Sequence, residues 1–175
     1  MIHYKVFNDT FSLFGINFLN RFYLFCLNSK YCKINYRISK ENKIIYYWIA
    51  VKNLKEFYKH FLYSHLHIIV FFFLINIFNF KLCKKFFLFF LSFCFDLSKF
   101  KFNSNSMLLY LYVDKKYRLK NIGSTCIKII DKYFKKNRIK NYALNIISHT
   151  QRLKFFYQKN KFKYMGSLKY HKFII

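Results

Sequence analysis

The stretch "RLKNIGS", from Arg118 to Ser124, gathers groups that together can hold an anion. Arg118 and Lys120 bring mobile positive charge, and a guanidinium can meet a phosphate through paired hydrogen bonds. Gly123 is one of three glycines in the chain, and the absence of a Cβ lets a ligand approach its backbone. Ser124 can cap a helix or hydrogen-bond a phosphate oxygen directly. Downstream, Ile127, Ile130 and Phe134 recur at helical spacing, which predicts a helix beginning near Gly123. The first N–H groups of a helix lack internal acceptors and lie at the positive end of its dipole. The chemistry expected of this segment is phosphate or pyrophosphate binding.

Such a loop works only if a strand delivers the chain to it and a helix carries it away. "MLLYLYV" (107 to 113) is an apolar run of strand length, and residues 124 to 136 carry the helical phase. "YALNII" (142 to 147) reads as a second strand and "QRLKFFYQK" (151 to 159) as a second helix, with "FKYMG" and "KYHKFII" as closing strands. Earlier in the chain "FSLFGINFLNRFYLFCL" reads as helical, "KIIYYWIAV" (43 to 51) as a strand and "LKEFYKHFLYSHL" as an amphipathic helix. The series is that of an α/β protein, and 175 residues suit one domain with a real core.

The glycine spacing is neither that of a P-loop nor that of a dinucleotide fingerprint. Val113, then "DKKY", then Arg118-Leu119-Lys120-Asn121-Ile122-Gly123 and Ser124 resembles motif A of the GNAT superfamily of acetyl-coenzyme A-dependent N-acetyltransferases. Asn121 stands where that family usually has its first glycine, and Asn tolerates left-handed backbone angles better than most residues. "ALNIISHTQRLKFFYQKNKFKYMG" is similar to the family's later signature: Phe156, Tyr157, Phe162 and Gly166 match in order, with Lys161 in place of a glycine. The resemblance covers about residues 107 to 170. It implies a mixed, mainly antiparallel sheet with two splayed parallel central strands, 107 to 113 and 142 to 147, and flanking helices. Acetyl-coenzyme A as co-substrate would lie between those strands. Backbone groups around Leu111 and Val113 would meet the pantetheine arm, and Arg118, Leu119, Lys120, Asn121, Ile122, Gly123 and Ser124 would hold the pyrophosphate. Tyr157 would be the general acid for the departing thiolate. No carboxylate lies in the strand to serve as base, and His149 is the nearest residue that titrates near neutral pH. The acceptor amine, whether a peptide amino terminus, a lysine or a small amine, is left open, as is a degenerate domain that binds coenzyme A without turnover.

Composition narrows the remaining classes. The chain holds 26 Phe and 16 Tyr, no Pro, and 32 Lys and Arg against 6 acids, for a formal charge of +26. Phe, Tyr, Lys, Asn and Ile have AT-rich codons, so an AT-rich genome accounts for much of this bias. Lysines are spread along the chain and form no single block, which argues against nucleic acid as the main partner. The 5 cysteines form no C-x-x-C pair, excluding a recognisable zinc site or disulfide framework. Their apolar settings suit a reducing, cytoplasmic compartment, and "MIHYKVFNDTF" lacks the pattern of a secretory signal. Residues 66 to 97 hold two apolar runs broken by Lys81, Lys84 and Lys85, each shorter than the ~20 residues of a spanning helix. Core, membrane-associated segment and translated non-coding sequence all stay open for 66 to 106. The alternative function is accordingly a small basic membrane-associated protein.

Overall fold

Apolar periodicity sets where the elements lie, and a computed structural model of the chain describes residues 15–75, 104–146, 150–165 and 169–173. In order these are α1 (Gly15–Asn28), β1 (Cys32–Ile38), β2 (Ile44–Val51), α2 (Leu54–Ile75), β3 (Met107–Val113), a short 3₁₀ turn (Lys115–Tyr117), α3 (Ile122–Lys136), β4 (Asn141–Asn145), α4 (Gln151–Lys159), β5 (Lys163–Tyr164) and β6 (Lys169–Phe173). They fall into two compact units: α1 with α2 from Lys55 onward, and the strands with α3 and α4.

In the first unit, Phe18, Leu19, Phe22 and Cys26 share one buried stripe of α1. Phe22 meets Phe57 and Phe61 of α2 edge to face, with ring centroids 6.2 and 5.6 Å apart, the arrangement that aromatic quadrupoles favour. His65 Nδ1 lies 3.0 Å from the carbonyl of Phe61, and burial lowers the pKa of its ring. The helix read for 54 to 66 continues to Ile75, so the beginning of the apolar stretch from 66 is helical. Among the described residues no helix is long and apolar enough to cross a membrane. Residues 76–97 lie outside the described set.

The second unit is built on a six-stranded sheet of order β1-β2-β3-β4-β6-β5. Every neighbouring pair is antiparallel except β3 with β4, which are parallel and paired only at Met107↔Ala143 and Leu108↔Leu144. Beyond Leu108 the two strands diverge. Opposite the pair Ile49 and Ala50 of β2, Leu109 has no partner, because Ile49 faces Tyr110 and Ala50 faces Leu108. This is a β-bulge, an extra residue that shifts the alternation of the strand by one. The mixed sheet, its splayed parallel pair and the flanking helices are the fold expected from the sequence.

Cys126, Ile127, Ile130 and Phe134 form the buried stripe of α3 and join Trp48, Ala50, Leu108, Tyr142 and Leu144 in one core. Asp131 sits at the border of that stripe and accepts hydrogen bonds from the Tyr142 hydroxyl (2.9 Å) and from Lys172 Nζ (2.6 Å), so one carboxylate fastens α3 to β4 and β6. Burial, with the neighbouring carboxylate, pushes the Tyr142 hydroxyl well above the usual tyrosine range. Burial also pushes the Cys126 thiol up to about 11. Cys26, Cys32 and Cys126 are buried, as their apolar settings predict. Strand β1 was not read from the sequence, and its mostly exposed or half-buried pattern explains why: an edge strand has little burial to write into its residues.

Candidate anion-binding site

The site begins with the direction in which β3 aims its peptide groups. Before the bulge the Ser106 carbonyl faces β4, where it accepts from the Ala143 N–H at 2.9 Å. After the bulge the Asp114 N–H faces the other way, donating to the Ile45 carbonyl of the β2 side at 2.9 Å. Strand alternation then turns the peptide groups of Leu111 and Val113 towards the gap left by the diverging β4. Neither has a strand partner there. The two residues expected to meet a pantetheine arm are therefore those whose backbone faces the gap. The Val113 carbonyl is already taken, because it accepts from Arg118 Nε at 3.0 Å.

Past Val113 the chain tightens. Asp114 caps the 3₁₀ turn, its carboxylate accepting from the Lys116 N–H (2.9 Å) and from the Tyr112 hydroxyl (3.2 Å). Leu119 and Asn121 then take left-handed backbone angles, with φ of +66° and +57°. Asn121 is the residue before α3, and its carbonyl accepts from the Thr125 N–H at 2.9 Å, closing the first helical turn. Among the described residues no chain acceptor meets the amides of Leu119, Lys120, Asn121, Ile122, Gly123 or Ser124. Left-handed residues within such a run draw neighbouring N–H groups into a concavity that attracts anions, and the start of α3 adds its dipole. Leu119 is 85% exposed and leaves the concavity open.

Two expectations are corrected here. Gly123 was read as the opening for a ligand, yet its φ is not positive, and a Cβ on it would lie 3.0 Å from Cε2 and Cζ of Phe156. The glycine admits the ring of Phe156 from α4; the turn's need for left-handed angles falls on Leu119 and Asn121. Ser124 was read as a helix cap or a direct phosphate partner, and the first of these roles falls away because α3 starts at Ile122 with Asn121 as its cap residue. The Ser124 Oγ accepts instead from Asn160 Nδ2 at 3.3 Å. That bond leaves the hydroxyl proton to donate elsewhere. Asn160 also donates to the Phe156 carbonyl at 2.8 Å and so holds the end of α4 against the start of α3. The sequence reading missed Asn160; an Asn at a helix C-terminus was the only available signal.

Tyr157 lies on α4, 8% exposed, with its ring edge to face with Phe156 (5.0 Å) and Phe162 (5.4 Å). His149 lies outside the described residues. Leu111, Val113 and the run from Arg118 to Ser124 thus come together at the mouth of the gap, and α4 braces that run through Phe156 and Asn160. Among the described residues no group of acids, histidines or cysteines could hold a metal ion.

Diverging parallel strands, a bulge and a loop of unpaired amides at a helix start define an acyl-coenzyme A N-acyltransferase fold. No protein-family profile matches the sequence, and no curated protein does. Among solved structures, a GNAT-family acetyltransferase from Staphylococcus aureus superposes with a TM-score of 0.53 at 15% identity, over 90% of this chain and 76% of that one. The PaiA N-acetyltransferase of Thermoplasma acidophilum, solved in complex with coenzyme A, superposes with a TM-score of 0.53 at 12% identity, over 98% of this chain and 82% of that one. The chain has the fold of the GNAT acetyltransferases, as its two motifs suggested.

Proposed function

We propose that the protein transfers an acetyl group from acetyl-coenzyme A to a primary amine, either on a peptide amino terminus, on a lysine or on a small molecule. One observation carries this reading: the unpaired amides of Leu119 to Ser124 stand at the mouth of the gap between β3 and β4. They suit a diphosphate, and the gap suits an extended arm with amides of its own. When bound, the co-substrate supplies the acetyl thioester. The gap-facing N–H groups of β3 bind and orient the arm and donate to the carbonyl oxygen as charge develops on it. Arg118 and Lys120 add charge beside the diphosphate. Tyr157 gives its phenolic proton to the departing thiolate, and His149 draws the proton from the attacking amine.

The test is thermal stabilisation combined with turnover. Acetyl-coenzyme A at a hundred times its Kd contributes about 2.7 kcal/mol, a rise in Tm of about 5–10 °C for a chain of this size. Asn121→Val places a β-branched residue at a left-handed position, costing about 1–2 kcal/mol and hence about tenfold in affinity, while Asn121→Gly keeps the shift. Tyr157→Phe retains the shift and lowers kcat by about a hundredfold, with loss of the alkaline limb of the pH profile. A chain whose Tm does not respond to acetyl-coenzyme A is not an acetyltransferase of this kind.

A further inference from the structure

Strand β1 ends the sheet, and its outer side carries backbone groups that the rest of the fold leaves unmet. The Tyr31 carbonyl accepts from the Lys52 N–H at 2.7 Å, so the peptide groups of Tyr31 face β2. Strand alternation then turns those of Lys33, Asn35 and Arg37 towards β2 and those of Ile34 and Tyr36 outward. The Asp114 N–H bond to the Ile45 carbonyl agrees, since it leaves Tyr46, Trp48 and Ala50 as the β2 residues that face β1. Among the described residues no backbone group meets the N–H and C=O of Ile34 or Tyr36. Pairing with β2 is regular from Cys32 to Arg37 and shifts only at Ile38. The open side is therefore a straight template for one more strand.

Side chains along this edge fall into two rows. Ile34 and Tyr36 share one face with their partners Ile49 and Tyr47, and Tyr36 is 59% exposed although its partner is buried. Lys33, Asn35 and Arg37 share the other face. Lys33 and Arg37 are exposed, have no ion-pair partner among the described residues, and share the strand with no acid. This pattern disfavours a second copy of the chain. The antiparallel self-pairing with the longest overlap sets Ile34 against Tyr36 and Lys33 against Arg37, and like charges directly opposite destabilise. A formal charge of +26 on each copy adds to that repulsion. The same geometry favours acids in an incoming strand. Positions 33 and 37 would form the pairs without hydrogen bonds, where side chains approach most closely.

We propose that β1 is a docking edge for an extended acidic segment of another polypeptide. The segment adds as an antiparallel strand, with carboxylates opposite Lys33 and Arg37 and apolar side chains opposite Ile34 and Tyr36. Main-chain bonds to Ile34 and Tyr36 hold it, and the two cations set its register, so alternation is recognised as well as charge. Strand β2 separates this edge from β3 and the amide loop, and the proposal is independent of the acetyl-transfer reading.

Fluorescence anisotropy with the full chain, at about 0.15 M salt to screen bulk attraction, tests it with a labelled peptide of core Glu-Val-Thr-Val-Glu. Saturable binding is expected, about tenfold or more tighter than that of a Lys-Val-Thr-Val-Lys counterpart. N-methylation of both valines, whose amides would face β1, weakens binding about tenfold, whereas N-methylation of the threonine, whose amide points away, leaves it unchanged. Lys33→Glu combined with Arg37→Glu reverses the preference between the two peptides. Lys128→Glu with Lys132→Glu, on the exposed face of α3, makes the same change of net charge and preserves it. Equal effects of methylation at valine and threonine would reduce the contact to bulk attraction and overturn the proposal. Absence of binding, or a preference untouched by the Lys33 and Arg37 changes, would overturn it too. Sedimentation that finds a dimer of the chain, dissociated by the peptide, would assign the edge to a second copy and equally overturn it.

Discussion

Gly123 illustrates how a residue type can be required for a reason other than the one its neighbours suggest. With an ordinary helical φ and a neighbouring ring at 3.0 Å, it is needed for the packing of α4 on the first turn of α3. Replacement by Val forces the half-buried ring of Phe156 aside, and overpacking of this kind costs about 1–3 kcal/mol. The second change Phe156→Ala relieves most of that cost, so a double-mutant cycle on urea midpoints returns a coupling of opposite sign to the single losses. Additive losses would mean that the ring and the glycine do not meet. The same contact makes Gly123→Val a poor probe of anion binding, because it disturbs the brace and the loop together. Asn121 is the more direct position, since its left-handed angle shapes the loop itself, while its carbonyl closes the first turn of α3.

At the scale of elements, α3 and α4 end in the same way. After α3 the Ile139 N–H returns to Phe134 and the Arg138 N–H to Lys135, and after α4 Phe162 returns to Tyr157 and Lys161 to Gln158. Both are Schellman closures, in which the turning residue adopts the left-handed angle that glycine accepts without strain. Here Arg138 and Lys161 carry it, with φ of +58° and +66°. At Lys161 the hydrophobic contact that seals the motif is also present, Tyr157 against Phe162. Lys161→Gly and Arg138→Gly should each raise stability by about 1 kcal/mol, seen as a higher urea midpoint at unchanged slope. A lower midpoint for either would show that the basic side chain contributes more than its backbone strain costs.

For the molecule as a whole, +26 of formal charge on 175 residues is a standing repulsion. Among the described residues it is answered by few ion pairs, of which only Asp131 with Lys172 is well sheltered. Screening shortens the reach of the rest, from about 30 Å at 0.01 M salt to about 8 Å at 0.15 M. The free protein should therefore melt several degrees higher at physiological salt than at 0.01 M, by calorimetry, because compact states of high net charge repel themselves. Affinity for acetyl-coenzyme A should move in the opposite direction over the same range. A Tm that falls with added salt would mean that attractive pairs dominate the surface.

Much of the fold was written locally. "MLLYLYV" and "QRLKFFYQK" are the whole of β3 and α4 because their apolar spacing states a period, and burial of that period is what forms them. The loop was legible for the same reason: unpaired amides at a helix start are a property of the backbone, independent of what surrounds it. Other features were decided only when distant segments met. The parting of β3 from β4, the bulge at Leu109, the ring that fills the space beside Gly123 and the carboxylate of Asp131 shared between α3 and the sheet all depend on partners remote in sequence. Periodicity says which face of an element is apolar; it does not say which neighbour covers that face, and the covering neighbour is what makes a turn into a binding site.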